Sequence, residues 1–331
     1  MMRFNKPRKQ KGVVLVLVAI LLVVLLGMAA LAVDISRLYV ARHFLINSCD
    51  ASALAGGMEL PDQVKAEAKA TECASANTMF THQVSFPEDG ITEEGATRIR
   101  VDGQLNVPYC FAGILGFSSR TVGAHAVVQR NQMIGWVNGN VVPWGIPYYD
   151  AYGNPYDYNN GVLYTLKVGS QSDLSDGSVE KVGGNFYPLA LERSLGDGSS
   201  GASVYSDGIK WGFDGQVQVG DTVSTEPGNM VGPTKQAVST DSDSLFARAE
   251  EEPWADDTWD NYDYGNSRIV IVPIVSPMDG GRSDVQILGF ASFWVESVQG
   301  QVVKGYFISY TVPEAGGDGP DYGLSTYQLV E

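Results

Sequence analysis

Residues 13–33 run twenty-one positions without a charge, VVLVLVAILLVVLLGMAALAV, and fifteen of them are Val, Leu or Ile. As a helix rising ~1.5 Å per residue the run is about 31 Å long, close to the ~30 Å hydrocarbon core of a bilayer. Each mid-membrane Leu, Ile or Val favours insertion by roughly 0.3–0.6 kcal/mol, so the run predicts a transmembrane helix over 13–33. Arg3, Lys6, Arg8, Lys9 and Lys11 precede it, and no acidic residue occurs before Asp34. By the positive-inside rule, residues 1–12 form a basic cytoplasmic tail and the rest of the chain is exported, a single-pass, N-in topology. Ala30-Leu31-Ala32 also offers a signal-peptide cleavage site. The run is longer than the 7–15 apolar residues typical of a signal, and its helical pattern crosses that site unbroken. The sequence therefore favours a retained anchor over a cleaved leader.

The helix does not stop at the membrane. On a wheel, Ile35, Leu38, Tyr39, Leu45, Ile46, Cys49 and Ala53 fall within one stripe interrupted by Arg42, which predicts an interface for a partner helix. Phe44 lies on the polar side as a further candidate contact. Gly56-Gly57 reads as the helix stop and Pro61 as the opening of a second helix. Residues 62–80 are Ala-rich, and Ala66, Ala70, Cys73 and Phe80 can share the face of an antiparallel hairpin.

Beyond the hairpin the period changes to two. Ile99, Val101, Leu105 and Val107 alternate with polar residues, Asp102-Gly103 is a hairpin signal, and Val122, Ala124, Ala126 and Val128 alternate again. The apolar string FAGILGF (111–117) interrupts them. Residues 34–130 thus read as a helical hairpin with a small antiparallel sheet. Residues 131–331 read as an acidic, antiparallel β-rich domain, with the best strands at 162–168, 268–275, 285–297 and 302–312 and a long polar stretch at 239–267. The expected fold class is α+β.

The N-terminal pattern resembles the Tad-type, TadG-like proteins of bacterial tight-adherence (Flp) pilus systems. The residues that carry the resemblance are Gly12 after the basic tail, the apolar run, Ala32-Val33-Asp34, Arg37-Leu38-Tyr39-Val40-Ala41-Arg42, Leu45, and Asp50-Ala51-Ser52-Ala53-Leu54-Ala55-Gly56-Gly57. TVGAHAVV (121–128) after FAGILGF is similar to a segment found downstream in such proteins, so the resemblance covers roughly residues 8–130. It implies a membrane-anchored, minor-pilin-like assembly component that meets other pilus-assembly proteins through its N-terminal helix. It does not extend to prepilin processing, because Leu17 stands where the prepilin pattern has Glu. Nor does it extend to a von Willebrand-type metal site, because Asp173-Leu174-Ser175-Asp176-Gly177 lacks the closing Ser.

Charge and composition exclude other classes. With the five basic tail residues set aside, 17 Lys and Arg face 38 Asp and Glu, a balance of −21 that repels nucleic acid. Three cysteines are too few for a disulfide scaffold, although Cys49 and Cys73 sit at heights that would allow a bridge across a helical hairpin. His43, His82 and His125 have no ligand at metal spacing, and no nucleophile elbow, P-loop or dinucleotide fingerprint occurs. No catalytic or cofactor residue is expected. Two chemistries stay open. Glu250–Glu252, Asp256, Asp257, Asp260 and Asp263 among Trp254, Trp259, Tyr262 and Tyr264 read first as a solvated acidic loop with aromatic anchors, and would also suit a glycan- or calcium-binding module, or a hydrolase using two carboxylates. Asp157-Tyr158-Asn159-Asn160-Gly161 is an incomplete calcium-loop string, with Val168 where the closing Glu belongs.

Overall fold

The structure, a computed structural model, describes residues 11–331 apart from 61, 77, 80–81, 84–86, 88–89, 94–96, 132–133, 149–160, 168–187, 227, 229, 278–281, 300–301, 314, 321 and 331. The chain divides into two compact units, residues 1–129 with 328–331, and residues 130–327.

The first unit is organised by α1 (Lys11–Met58), one unbroken helix of 48 residues and about 72 Å. Its Val-rich beginning has only modest helix propensity in water. In lipid a helix satisfies every backbone group internally, and that constraint overrides the preference. None of the apolar segment is buried within the chain.

A turn follows, in which the Asp62 N–H donates to the Glu59 carbonyl at 3.0 Å. The Asp62 side chain then caps α2 (Gln63–Ala76), its Oδ1 accepting the Lys65 N–H at 3.1 Å. Pro61 lies outside the described residues. Ala66, Ala70 and Ala74 form the buried i, i+4, i+8 stripe of α2, and small side chains let α1 and α2 come close.

α1 ends at Met58, one residue past Gly56-Gly57, where the sequence places its stop, and the Glu59 N–H donates back to the Gly56 carbonyl at 3.1 Å. Both glycines are buried, and neither has a positive φ. A Cβ on Gly56 would meet the Ala66 carbonyl oxygen and Ile99 Cδ1, each at 2.7 Å, and one on Gly57 would meet Val128 Cγ1 at 2.4 Å. Close packing therefore requires glycine here in addition to the turn that follows.

The strands of this unit are β1 (Thr78–Met79), β2 (His82–Gln83), β3 (Ile91–Glu93), β4 (Arg98–Pro108) and β5 (Ser119–Asn131). They pair with one another antiparallel, β1 with β2 and β3 with β4 with β5. Ile99, Val101, Leu105 and Val107 face inward, as their alternation predicts. Asp102-Gly103 is not a hairpin turn. It lies inside β4, opposite His125 and Ala124, and the chain reverses instead at 109–118. That reversal contains a short 3-10 helix (Ala112–Leu115) closed by Gly116 at φ +90°. The hairpin is therefore eleven pairs long, with the apolar string at its tip.

Cys49 lies over Ala124, its Sγ 3.5 Å from that carbonyl oxygen, and Gly57 lies over Val128. Eight helical residues rise ~12 Å and four strand residues span ~13 Å, so α1 runs along β5 in matched step. The chain's last residues return here, the Val330 N–H donating to the Val127 carbonyl at 3.0 Å.

The second unit contains β6 (Trp136–Asn138), β7 (Ile146–Pro147), β8 (Leu163–Lys167), α3 (Leu191–Leu195), α4 (Ala202–Trp211), β9 (Gln216–Gln218), β10 (Thr222–Ser224), α5 (Val231–Lys235), α6 (Leu245–Ala249), β11 (Ile269–Val275), β12 (Asp284–Gln299), β13 (Val302–Ile308), β14 (Tyr310–Thr311), β15 (Ala315–Gly316) and β16 (Leu324–Leu329). Its main sheet has the order β7-β11-β12-β13-β8, with β10 also on β12. A smaller sheet has the order β15-β6-β9.

The four strand segments expected from sequence appear as β8, β11, β12 and β13 with β14. The sheets are mixed rather than wholly antiparallel, since β7–β11 and β14–β16 are parallel. The last segment breaks at Ser309, whose hydroxyl accepts from Arg130 Nη2 and whose carbonyl accepts from the Tyr262 hydroxyl. The core is built on Trp144, Trp294, Phe290 and Phe293, all fully buried. Trp144 Nε1–H donates to the Tyr205 hydroxyl at 3.0 Å, and burial pushes the Tyr205 phenol well above its ordinary range.

Candidate functional site

The character of α1 changes at Asp34. From Val14 to Val33 the large apolar side chains are exposed, and Asp34 is buried. Its carboxylate accepts backbone N–H groups from Cys110 and Ala112, each at 2.7 Å, and from Phe111 at 3.1 Å. A carboxylate bound by three amides is a strong tether. It fixes the tip of the β4–β5 hairpin to the helix one residue past the apolar run. Arg37 reinforces it, Nη1 donating to Cys110 Sγ at 2.8 Å. The sequence signals Asp34 only as a lone carboxylate at the end of an apolar run; its partner, the turn at 110–112, lies some 75 residues later.

The stripe Ile35, Leu38, Tyr39, Leu45, Ile46, Cys49 and Ala53 is not one surface. Leu45, Cys49 and Ala53 are completely buried in the chain's own packing of α1 with α2, β4 and β5. Leu38 and Ile46 are half-buried. Ile35 and Tyr39 remain 56% and 65% exposed. At ~100° per residue, Asp34, Ala41, Leu45 and Ser52 share one side of the helix, Ile35 and Ala53 lie roughly 100° round from them, and Tyr39 lies further round. Ile35 and Ala53 share a direction, yet the first is exposed and the second buried, so the seven residues divide by height along α1 as well as by face. Phe44 is half-buried.

Cys49 and Cys73 are not bridged. Cys49 faces β5 while α2 packs on α1 through Ala66, Ala70 and Ala74, so the helix–helix seam is made of alanines. Phe80 lies outside the described residues.

An open cleft of about 750 Å³ in this unit brings together Arg42, Asp50, Asp102 and His125. Asp102 is held by Arg100 at 2.8 Å. No three His, Cys, Asp or Glu residues converge as a metal site among the described residues.

In the second unit the acidic-aromatic segment is folded onto the sheet. Trp259 stacks on Tyr306 with centroids 4.5 Å apart, and Tyr264 stacks on Tyr310 at 5.3 Å. Trp254 Nε1–H donates to the Tyr264 carbonyl. Asp257 Oδ2 accepts from the Asp263 N–H and Asn266 Nδ2, and Asp260 Oδ1 from the Thr258 hydroxyl. These aromatics anchor the segment, and two of its carboxylates are engaged in its own turns. The stretch 239–267 also carries α6. Lys210 is held between Asp241 at 2.6 Å and Asp243 at 2.7 Å. Of the calcium-loop string only Gly161 is described, and 173–177 lies outside the described residues.

No curated protein and no solved structure matches the chain. The helix just described, from its second residue through the exposed span, Asp34 and the two close-packed glycines, is where a family model does match: residues 12–59 fit Tad, "Putative Flp pilus-assembly TadE/G-like".

Proposed function

We propose that the chain is a membrane-anchored, minor-pilin-like structural component of a tight-adherence pilus assembly. Its N-terminus lies in the cytoplasm, α1 crosses the membrane once, and both folded units lie outside the cytoplasm. One observation carries the reading. The exposed apolar surface of α1 continues past the span into Ile35, Tyr39 and Val40, while the side carrying Asp34, Ala41 and Leu45 is buried against the rest of the chain. Helices with apolar faces at and above a bilayer associate through packing. The family match over the same residues supports the pilus context.

In this reading the chain anchors and positions; it catalyses nothing. A glycan- or calcium-binding role finds less support, because Trp259 and Tyr264 are occupied in stacking.

The test is co-purification from native membranes. Replacing Ile35 and Tyr39 with Asp should abolish recovery of pilus-assembly partners, and Val64→Asp on the exposed side of α2 should not. Leu45→Lys is unsuitable, since that side chain is buried and the change would unfold the hairpin. Undiminished recovery with Ile35 and Tyr39 replaced, or hydrolytic activity lost on changing a single carboxylate, would overturn the reading.

A further inference from the structure

The apolar string at the tip of the β4–β5 hairpin has no role in the core. Phe111, Ile114 and Phe117 are 44%, 85% and 62% exposed, and residues 109–119 carry no charge. A soluble hairpin tip is ordinarily polar. Two observations say what covers this one. Asp34 binds the backbone N–H groups of Cys110, Phe111 and Ala112, so the tip is held at the height of residue 34 on α1. Residue 34 is one helical step, ~1.5 Å, above Val33, where a run about as long as the hydrocarbon core ends. The exposed tip is thus continuous with the exposed apolar span, at the level of the lipid headgroups. Two cations border it, Arg37 on α1 and the exposed Arg120 at the start of β5. Apolar wedges flanked by basic residues suit the headgroup–acyl boundary of an anionic leaflet.

We propose that residues 111–117 are a second membrane contact, with Phe111, Ile114 and Phe117 entering the leaflet from which α1 emerges. Asp34 is then a positioning residue. It sets the depth of the tip and, through the hairpin, the orientation of α1's exposed face above the bilayer. The proposal rests on α1 crossing the membrane, and the test separates the two.

The full chain, with Cys73→Ser and Cys110→Ser and with Cys49 left buried, is reconstituted in vesicles of phosphatidylethanolamine and phosphatidylglycerol. A spin label is placed singly at Ile114→Cys or Phe117→Cys, with Leu25→Cys as the span control and Val64→Cys as the aqueous control. Both tip positions are exposed, so labelling perturbs no packing. Relaxation by oxygen relative to a water-soluble nickel complex reports lipid against water. The expected ratio at 114 and 117 is several-fold above that at 64 and close to that at 25. A lipid-like ratio at 25 with a water-like ratio at both 114 and 117 overturns the tip contact alone. A water-like ratio at 25 overturns the crossing and the tip contact with it. Shielding of 114 and 117 from both relaxants, with spin–spin broadening that fades as the protein is diluted in lipid, would assign the tip to a second copy and also overturn the proposal.

Discussion

Gly57 offers the sharpest test of how α1 is seated. An alanine there would place its Cβ 2.4 Å from Val128 Cγ1 and 3.2 Å from Val128 Cβ, where carbon atoms prefer ~3.5–4.0 Å. Val128 cannot yield easily. It is fully buried, β-branched with few rotamers, and paired opposite Ile99 in the sheet. Overpacking of this kind costs roughly 1–3 kcal/mol, and the rigid neighbour places it near the upper end. Replacing a helical Gly with Ala returns at most about 1 kcal/mol. The net is about 2 kcal/mol of destabilisation, or roughly a thirtyfold rise in the open population.

Val128→Ala removes Cγ1, so in that background Gly57→Ala should be neutral or stabilising by up to about 1 kcal/mol. The two substitutions are thereby coupled by roughly 2–3 kcal/mol. Cys49 gives a local readout, because it is completely buried in the same helix–strand seam. Its alkylation rate in the full chain in detergent, resolved from Cys73 and Cys110 by mass spectrometry, follows the opening equilibrium when reclosing is fast. If Gly57→Ala slows alkylation of Cys49, or shifts it equally in both backgrounds, then the glycine is an ordinary helix-terminal residue and the close-approach argument fails.

Three further outcomes follow from the same geometry. Asp34→Asn should accelerate amide exchange at Cys110, Phe111 and Ala112 relative to the β4–β5 amides, because a neutral amide offers one acceptor where a carboxylate offers two; unchanged exchange at those three positions would exclude the tether. Leu45→Ala should cost about 2–5 kcal/mol while Ile35→Ala changes stability by less than about 0.5 kcal/mol, measured by Cys49 alkylation, since only the former opens a cavity. In the second unit, hydrogen bonding from Lys210 holds the Asp243 carboxyl below its ordinary 3.8, and hydrogen bonding to Asp241 and Asp243 raises Lys210 above its ordinary 10.5. The carboxylate's contribution is complete above its unfolded pKa and is lost as pH falls through the lower folded value; the ammonium's is complete below 10.5 and is lost as pH rises through the higher folded value. Urea titrations should therefore be flat across neutrality and fall at both extremes, more weakly in high salt, and Lys210→Met should flatten both limbs.

Much of the fold was legible because period and composition act locally. The apolar run, the alanine face of α2, the inward set Ile99, Val101, Leu105 and Val107, and the four long strands each announce themselves within a window of about ten residues. The glycine strings show the limit. Gly56-Gly57 marks the end of α1 without revealing the close approach that also demands it, and Asp102-Gly103 lies in a strand and not a turn, because glycine satisfies equally a turn, an extended strand and a site where another chain segment approaches closely. Only the positions of Val128, Ile99 and Ala66 decide between them, and those are tertiary facts. The aromatic anchors of the acidic segment were legible, but their partners Tyr306 and Tyr310 lie some 45 residues later in the chain and are not visible locally.

The helical wheel of α1 misleads in a more instructive way. A wheel reports that Ile35, Leu38, Tyr39, Leu45, Ile46, Cys49 and Ala53 share an apolar arc, but it cannot say how many surfaces that arc meets. The arc here meets two. The chain's own α2 and sheet take Leu45, Cys49 and Ala53 higher up the helix, and Ile35 and Tyr39, nearer the apolar run, stay exposed. Asp34, roughly 100° round the helix from Ile35, fastens the hairpin tip to the other side. A helix free on all sides could rotate to present any face to a neighbour. One clamped by three amides at the foot of its folded unit cannot turn freely, so on the proposed reading the residues able to meet a partner reduce to those left exposed just past the apolar run, Ile35, Tyr39 and Val40.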